Sequence, residues 1–357
     1  MSHFSVPLEP AKCDTCAIVS QLDLSLVGVN ISVMDWNIFV SRRIPQAGLD
    51  LLRKSLTRVD VFDEDAPMDH ARLIEEARDR NGLLIMGSDQ IDAAVLGVSP
   101  RLRVVSNLSV GYNNIDVAEA TRRKIIVTNT PGVLTDATAD LTWALILAVA
   151  RRVGEGERFA RSGQWKGWAV TQLLGTDVTG KTLGIVGAGR IGTAVAKRAC
   201  GFSMKIIYTA RSDKPAMVAL GAKRVSFDEV LSQSDFVCVH VPLTPETRHL
   251  FGEREFRKMK PTAYFINVAR GPVHDEVALV RALQEGWITG AGLDVFENEP
   301  QIAPGLLTLP NVVVLPHLGT ATVETRSRMA VLAVENLLSV LRGEQCENVV
   351  NPEALSR

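Results

Sequence analysis

Lys181-Thr-Leu-Gly-Ile-Val-Gly-Ala-Gly-Arg-Ile-Gly192 is the stretch on which the reading of this chain turns. Thr182 to Val186 is a short, mostly apolar run with β-branched residues, and it leads straight into Gly187-x-Gly189-x-x-Gly192. An Ala- and Arg-containing segment of helical character, Arg190 to Cys200, follows at once. Strand, glycine turn and helix in that order form the context in which this spacing signals dinucleotide binding. Gly187 allows the tight turn, Gly189 lets the backbone approach a pyrophosphate, and Gly192 lets the helix pack close to the strand. The N–H groups from Ala188 to Ile191 then face the phosphates. Alone, the six-residue pattern also fits an ordinary βα turn; the flanks favour the cofactor.

Outward from this turn, strands and helices alternate on both sides, which predicts α/β architecture with doubly wound parallel sheets. Upstream, the strands are Trp36–Val40, Arg58–Phe62, Gly82–Met86, one starting at Val104, and Ile125–Thr128. Between them lie helices over Gln46–Ser55, from Pro67 and Asp69 to Arg80, Ile91–Val98, and one reaching Arg123. Thr130-Pro-Gly-Val-Leu-Thr-Asp136 is a turn-rich junction, and Thr135 or Asp136 is placed to cap a long apolar helix, Ala137–Arg152. Trp143, Trp165 and Trp168 lie on or just after it and suggest a subunit interface, with a core role for Trp143 as the alternative. Downstream, strands are expected at Lys205–Thr209, Phe236–His240, Ala263–Val268, Ala291–Val295 and Val312–Leu315, with a helix over Asp275–Glu285. A last helix, Val323–Arg342, has no strand partner and is expected to return to the first domain. The predicted division is therefore an extension at 1–34, a discontinuous substrate-binding domain at 35–134 plus 318–357, and a dinucleotide-binding domain at 135–317, with a cleft between the two domains.

Bulk properties narrow the function. Lys plus Arg number 39 and Asp plus Glu 40 in 357 residues, a net charge of −1. The basic residues are scattered, without the stripe a nucleic-acid surface needs. The apolar run Trp143–Ala150 is far too short to span a bilayer, so no membrane partner is expected. The five cysteines (13, 16, 200, 238, 346) are odd in number, and Cys200 and Cys238 sit in apolar elements as small hydrophobes. Cys13-x-x-Cys16 has no second ligand pair, so no metal site is assigned. Together these features read as a reduced, cytoplasmic, enzyme-sized protein.

Three stretches carry chemistry that a plain sheet does not need. Asn267-Val-Ala-Arg270-Gly-Pro, Leu293-Asp294-Val-Phe-Glu-Asn-Glu299-Pro300 and Leu315-Pro-His317-Leu-Gly319 each follow a predicted strand. In open α/β sheets ligands bind outside the carboxyl ends of the strands, so Arg270, Glu299 and His317 can converge there. A 2-oxo acid needs a cation, and Arg supplies a rigid fork of donors. Hydride attack on its carbonyl leaves an alkoxide, to which a His near neutral pH can give a proton. A Glu beside that His holds the ring and favours its charged form. Singly, each residue has an ordinary role: Arg270 as a cap or ion pair, Glu299 as a loop acid, His317 as a strand-end histidine.

Taken together, the chain resembles the D-isomer-specific 2-hydroxyacid dehydrogenases, in the glyoxylate/hydroxypyruvate reductase branch. The resemblance runs in order through Val110-Gly-Tyr-Asn-Asn-Ile-Asp116, Thr128-Asn-Thr-Pro-Gly-Val133, the glycine turn, His240-Val-Pro-Leu-Thr-Pro-Glu-Thr247, Asn267 to Pro272, Gly292 to Pro300 and Pro316 to Gly319. It implies that Arg270, Glu299 and His317 are the catalytic trio with His317 as proton donor, and that the Val110 and Gly111 amides hold a substrate carboxylate. It further implies that Asp294 and Gly319 orient a nicotinamide carboxamide, that Thr138, Val268 and Ala269 line the cofactor, and that the protein is a homodimer. Substrate choice falls to side chains such as Ser88, Leu108 and Tyr112.

The strand Lys205–Thr209 runs into Ala210-Arg211-Ser212 without the acid that usually bonds the adenosine ribose of NAD. Arg211 and Ser212 suit a 2′-phosphate instead, so NADP(H) is favoured and NAD(H) is the alternative, with Asp213 close enough to argue for it. The expected activity is hydride transfer from NAD(P)H to a small 2-oxo acid, giving the D-2-hydroxy acid. The rivals are a dinucleotide-sensing binding protein of the corepressor type and a phosphite dehydrogenase sharing the trio.

Overall fold

The computed structural model describes residues 34–355; Cys13-x-x-Cys16 and the first 33 residues of the expected extension lie outside the described residues. The first sheet is built from β1 (Met34–Val40), β2 (Leu56–Val61), β3 (Gly82–Ile85), β4 (Val104–Asn107) and β5 (Ile126–Thr128). Helices α1 (Gln46–Ser55), α2 (His70–Glu76), α3 (Ala93–Gly97) and α4 (Val117–Arg122) connect them. All five strands are parallel, in the order β2-β1-β3-β4-β5. That order reverses at β1/β3, the flavodoxin-like variant of the doubly wound sheet.

The chain then enters α5 (Thr135–Ala150) and α6 (Val153–Arg161). A second sheet follows, made of β6 (Thr182–Val186), β7 (Lys205–Thr209), β8 (Lys223–Arg224), β9 (Phe236–Val239), β10 (Tyr264–Asn267), β11 (Gly290–Leu293) and β12 (Val312–Val314). Interleaved are α7 (Arg190–Ala199), α8 (Pro215–Val218), α9 (Phe227–Gln233), α10 (Glu253–Lys258), α11 (Glu276–Gln284) and α12 (Pro304–Thr308). Its order, β12-β11-β10-β9-β6-β7-β8, reverses beside β6, so the glycine turn sits at the switch point. Phe236-Val-Cys-Val239 is buried along its whole length because helices cover both faces of the sheet.

α13 (Val323–Arg342) packs on the first sheet, its Ala330, Ala333, Val334 and Leu337 joining Ile38, Val40, Leu52 and Val104 in one core. Ser106 of β4 donates to the Ala333 carbonyl at 2.7 Å, and Asn336 donates to that of Asn129 at 2.9 Å. Gly48 of α1 leaves room for this docking: a Cβ there would lie 2.9 Å from that of Ala330.

Two local expectations, the α5 cap and the place of Cys200, are corrected, and Trp143 takes the core role of its two. α5 begins at Thr135, one or two residues earlier than a cap at Thr135 or Asp136 requires; its cap position is Leu134, which offers no side-chain acceptor. Asp136 instead pairs with Arg198 of α7 at 3.1 Å, and Asp140 with the same guanidinium at 2.7 Å. These acids therefore bind helix to helix rather than cap one. Trp143 belongs to the core: its indole N–H donates to the Val195 carbonyl at 3.1 Å and its ring stacks on Phe202 at 4.5 Å. Cys200 is exposed, because α7 ends at Ala199 and the chain turns outward there. Cys238 is buried within β9.

Two histidines lie at the second sheet's carboxyl end. His274 is fully buried, with Nδ1 3.0 Å from the Asn267 amide, and His240 has its Nε2 shielded from solvent. Burial pushes His274 down to about 4 and His240 down to about 3.

Two outcomes are expected. Gly48→Val should push α1 off α13 and destabilise the chain by about 1–3 kcal/mol in denaturant melts; an unchanged midpoint would contradict the packing. Because both histidines take up protons more readily in the unfolded chain, their stability contribution is complete above about pH 6.5 and declines as pH falls toward 4. Together they should remove roughly 4 kcal/mol between pH 7 and pH 5. Histidine ring NMR of the folded protein should place both titrations below pH 5, and rings titrating near 6.5 would refute this.

Candidate active site

The glycine turn meets a dinucleotide's requirements in three ways. Gly187 has φ +100°, and a Cβ there would come within 2.7 Å of the His240 carbonyl carbon and oxygen. A Cβ on Gly192 would overlap the Gly187 carbonyl oxygen, so both positions exclude side chains. Gly189 is different: a Cβ there meets nothing within 4 Å, which leaves open space above the turn for a pyrophosphate. No side chain caps α7, so its first N–H groups are available to an anion. Ala188 is buried beneath the turn, Ile191 packs on the core, and Arg190 is exposed.

At the end of β7, Arg224 holds the backbone of Ala210 and Arg211. Its guanidinium donates to the Ala210 carbonyl at 3.0 Å and the Arg211 carbonyl at 3.2 Å, and it pairs with Asp213 at 3.4 Å. Lys214 donates to the Ser212 hydroxyl at 3.3 Å. Asp213, the residue that argued for NAD, therefore already has a cationic partner. Sequence alone does not single out Arg224, because it sits fourteen residues from Ala210 on the neighbouring strand, and only strand pairing brings the two together.

In the first domain, the loop after β4 carries Val110 and Gly111. Asn129 donates to the Val110 carbonyl and Asn107 to the Gly111 carbonyl, each at 2.8 Å. Neither the Val110 nor the Gly111 N–H has an acceptor among the described residues, which suits them to a carboxylate. Arg270 reaches this loop from the second domain. Its Nε donates to Asn113 at 3.2 Å and its Nη1 to the Ala269 carbonyl at 2.7 Å. It lies so close over Gly111 that a Cβ there would overlap the guanidinium. Burial lowers the Arg270 pKa against the opposing pull of Glu299. Val268 is buried and Ala269 half-buried on the strip leading to it. Of the expected specificity residues, Tyr112 is exposed, Leu108 packs against the first-domain core, and the Ser88 hydroxyl accepts from Arg42 at 2.9 Å.

His317 follows β12 in the left-handed region, φ +55°, a conformation that costs a non-glycine residue roughly 1–3 kcal/mol. Asp294, at the end of β11, offsets that cost by accepting three consecutive amides. Its carbonyl takes His317 N at 3.0 Å, and its carboxylate takes Leu318 N at 2.6 Å and Gly319 N at 2.8 Å. The Gly319 amide is thus committed to Asp294, and Thr138 of α5 lies 3.6 Å from where a Gly319 Cβ would be. Burial raises the Asp294 pKa, only partly countered by these amides and by the charge of His317. The turned backbone sets His317 Nδ1 2.8 Å from a Glu299 oxygen, whose other oxygen accepts Phe296 N at 3.1 Å. Burial pushes the Glu299 carboxyl up, but the bond and charge of His317, the Phe296 amide and the Arg270 charge together hold it below the usual range. With Nδ1 engaged and half the side chain exposed, Nε2 is the ring nitrogen left for a substrate.

The structure thus brings Arg270, Glu299, His317, Val110 and Gly111 to one cleft, with Thr138, Asp294 and Gly319 beside them, while Arg211 and Ser212 follow β7, the strand paired with β6 ahead of the glycine turn.

The sequence profile described as "D-isomer specific 2-hydroxyacid dehydrogenase, NAD binding domain" matches residues 143–319. A glyoxylate reductase of Thermococcus litoralis is 49% identical over 324 residues, 89% of this chain and 98% of that protein. The crystal structure of a glyoxylate reductase from Paecilomyes thermophila superimposes with a TM-score of 0.79 at 36% identity, over 88% of this chain and 98% of the other. An NADPH-dependent glyoxylate/hydroxypyruvate reductase of Sinorhizobium meliloti, solved with NADP and malonate, gives a TM-score of 0.80 at 34% identity over 90% and 98%. Similarity of this extent, across both sheets and the cleft between them, makes the chain a member of the D-isomer-specific 2-hydroxyacid dehydrogenase family, in its glyoxylate reductase branch.

Proposed function

We propose that this enzyme reduces glyoxylate and hydroxypyruvate to the corresponding 2-hydroxy acids, with the D configuration where the product is chiral, and prefers NADPH. The observation that carries the reading is the meeting of Arg270 and the Glu299–His317 pair beside the free amides of Val110 and Gly111. The bound nicotinamide would supply a hydride to the substrate's carbonyl carbon. The remaining steps belong to the protein. Val110 and Gly111 N–H hold the substrate carboxylate, and Arg270 orients and polarises the 2-oxo group. As the carbonyl oxygen gains charge, His317 Nε2 gives it a proton, and Glu299 on Nδ1 stabilises the imidazolium before that transfer. Asp294 keeps a lone pair on each carboxylate oxygen for a carboxamide. Thr138, Val268, Ala269 and Gly319 wall the same end of the groove.

The NADPH preference is supported by Arg211 and Ser212 at the strand end and by the engagement of Asp213 with Arg224. Homodimerisation is supported by the exposed apolar residues of one segment after α6, where Trp165, Trp168, Val170 and Leu174 are 57, 82, 71 and 64% exposed. The buried free thiol of Cys238 suits a reducing cytoplasm.

Steady-state assays should give a kcat/KM ratio of NADPH over NADH well above one, falling at least about tenfold in Arg211→Ala; a wild-type ratio below one would refute the preference. His317→Ala should lower kcat/KM for glyoxylate by roughly 100- to 10,000-fold, and a loss under threefold would remove His317 as the acid. In light scattering the chain should run at twice its own mass and Trp168→Asp should shift it toward monomer; a monomeric wild type would overturn the dimer.

A further inference from the structure

The loop that carries Glu299 is tied down at both ends by a buried carboxylate that takes no part in the chemistry above. Glu276, the first residue of α11, is 5% exposed. One of its oxygens accepts the Glu297 amide and the other accepts the Ala303 amide at 3.1 Å, so one side chain grips both ends of the segment 297–303. Glu297 returns the contact: one of its oxygens accepts the Glu276 amide at 3.0 Å, and the other lies 2.6 Å from His249 Nε2. His249 arrives from the segment after β9, whose backbone is bonded to Pro272 and Val273, in the turn that follows Arg270. Gly271 completes the junction, since a Cβ there would overlap the Phe296 carbonyl. The Arg270 turn and the Glu299 loop are thus built against each other, with Glu276 as the fastening.

Placing two carboxylates this close is costly unless each is satisfied. Here each accepts a backbone amide of the other residue's segment, and Glu276 also sits at a helix N-terminus, where the dipole favours negative charge. The segment they hold is short, with Ile302 and Ala303 packed on the core at one end and Glu299 bonded to His317 Nδ1.

We propose that Glu276 is a positioning residue for the proton-transfer pair: by holding the amides of Glu297 and Ala303 it sets Glu299 in register with both His317 and Arg270. The inference rests on the reductase reading of this cleft. It predicts that Glu276 acts on turnover only through Glu299.

The test is a double-mutant cycle on the full chain with Glu276→Gln, Glu299→Gln and the double variant. Glyoxylate turnover, NADPH dissociation by fluorescence titration, and amide exchange by mass spectrometry are the readouts. Glu276→Gln replaces one acceptor oxygen by an amide that faces a backbone N–H. It should speed exchange in the peptide covering 296–303 at least about tenfold in the unliganded protein and lower kcat by about 10- to 100-fold, as expected for displacement of a reacting group by about an ångström. NADPH dissociation should stay within about twofold, and in the Glu299→Gln background the same change should lower kcat by less than about twofold. Losses that multiply across the two backgrounds, or exchange that is unchanged, would overturn the proposal. Should Glu276→Gln fail to fold, Glu297→Gln, which weakens the other half of the clasp, must give the same non-additive pattern or the proposal falls. A wild-type chain without reductase activity would refute the functional reading, while the exchange data alone would still decide whether Glu276 holds the loop.

Discussion

Asp294 is the constraint from which the rest of the site follows. A single residue at the end of β11 accepts three successive amides from the turn after β12, and so stabilises His317 in a backbone conformation it would otherwise avoid. That conformation throws the imidazole back toward Glu299 rather than along the strand. The carboxylate sits in a site dry enough to raise its pKa, and the amides are what make its charge tolerable there. Strain at His317 and burial at Asp294 are two unfavourable choices that compensate each other, and functional sites are where such compensation is retained.

A second dependence runs across the cleft. Arg270 belongs to the second sheet, yet its guanidinium lies over the backbone of Gly111 and bonds to Asn113, both on the first. The Val110 and Gly111 amides and the Arg270 guanidinium are therefore presented by different domains, and the geometry between them depends on how the domains meet. On the first-domain side Asn107 and Asn129 hold the Gly111 and Val110 carbonyls, and Asn113 bonds Arg270 directly. At the opposite end of the groove the glycine turn leaves space only at Gly189. A dinucleotide laid between these ends spans the switch point of the second sheet, where the strand order reverses.

Much of this was legible in the chain because the informative residues are local. Helix periodicity in Gln46–Ser55 and Val323–Arg342 and the apolar strand runs each report their own conformation, and the glycine spacing reports a turn. The trio could be read because Arg270, Glu299 and His317 all sit just past strand ends, which a parallel sheet gathers on one side. What escaped were residues whose roles exist only through tertiary pairing. Thr135 and Asp136 look like caps, but Asp136 is drawn to Arg198, 62 residues away. Cys200 looks like part of an apolar helix, yet the helix stops one residue short of it. Asn107, Arg224, Glu276 and Glu297 carry no signature at all, since a lone asparagine, arginine or glutamate reads as surface until its partner is known.

The central claim is that Arg270, the Glu299-backed His317 and the amides of Val110 and Gly111 surround a single 2-oxo acid. The most direct measurement is a crystal structure of the full chain with NADP and oxamate, a non-reducible 2-oxo acid analogue. The account predicts the oxamate carboxylate on the Val110 and Gly111 N–H groups, with its carbonyl oxygen within hydrogen-bond reach of both Arg270 and His317 Nε2 and His317 Nδ1 still on Glu299. Oxamate bound elsewhere, or a His317 ring turned away from Glu299 with the ligand in place, would contradict it.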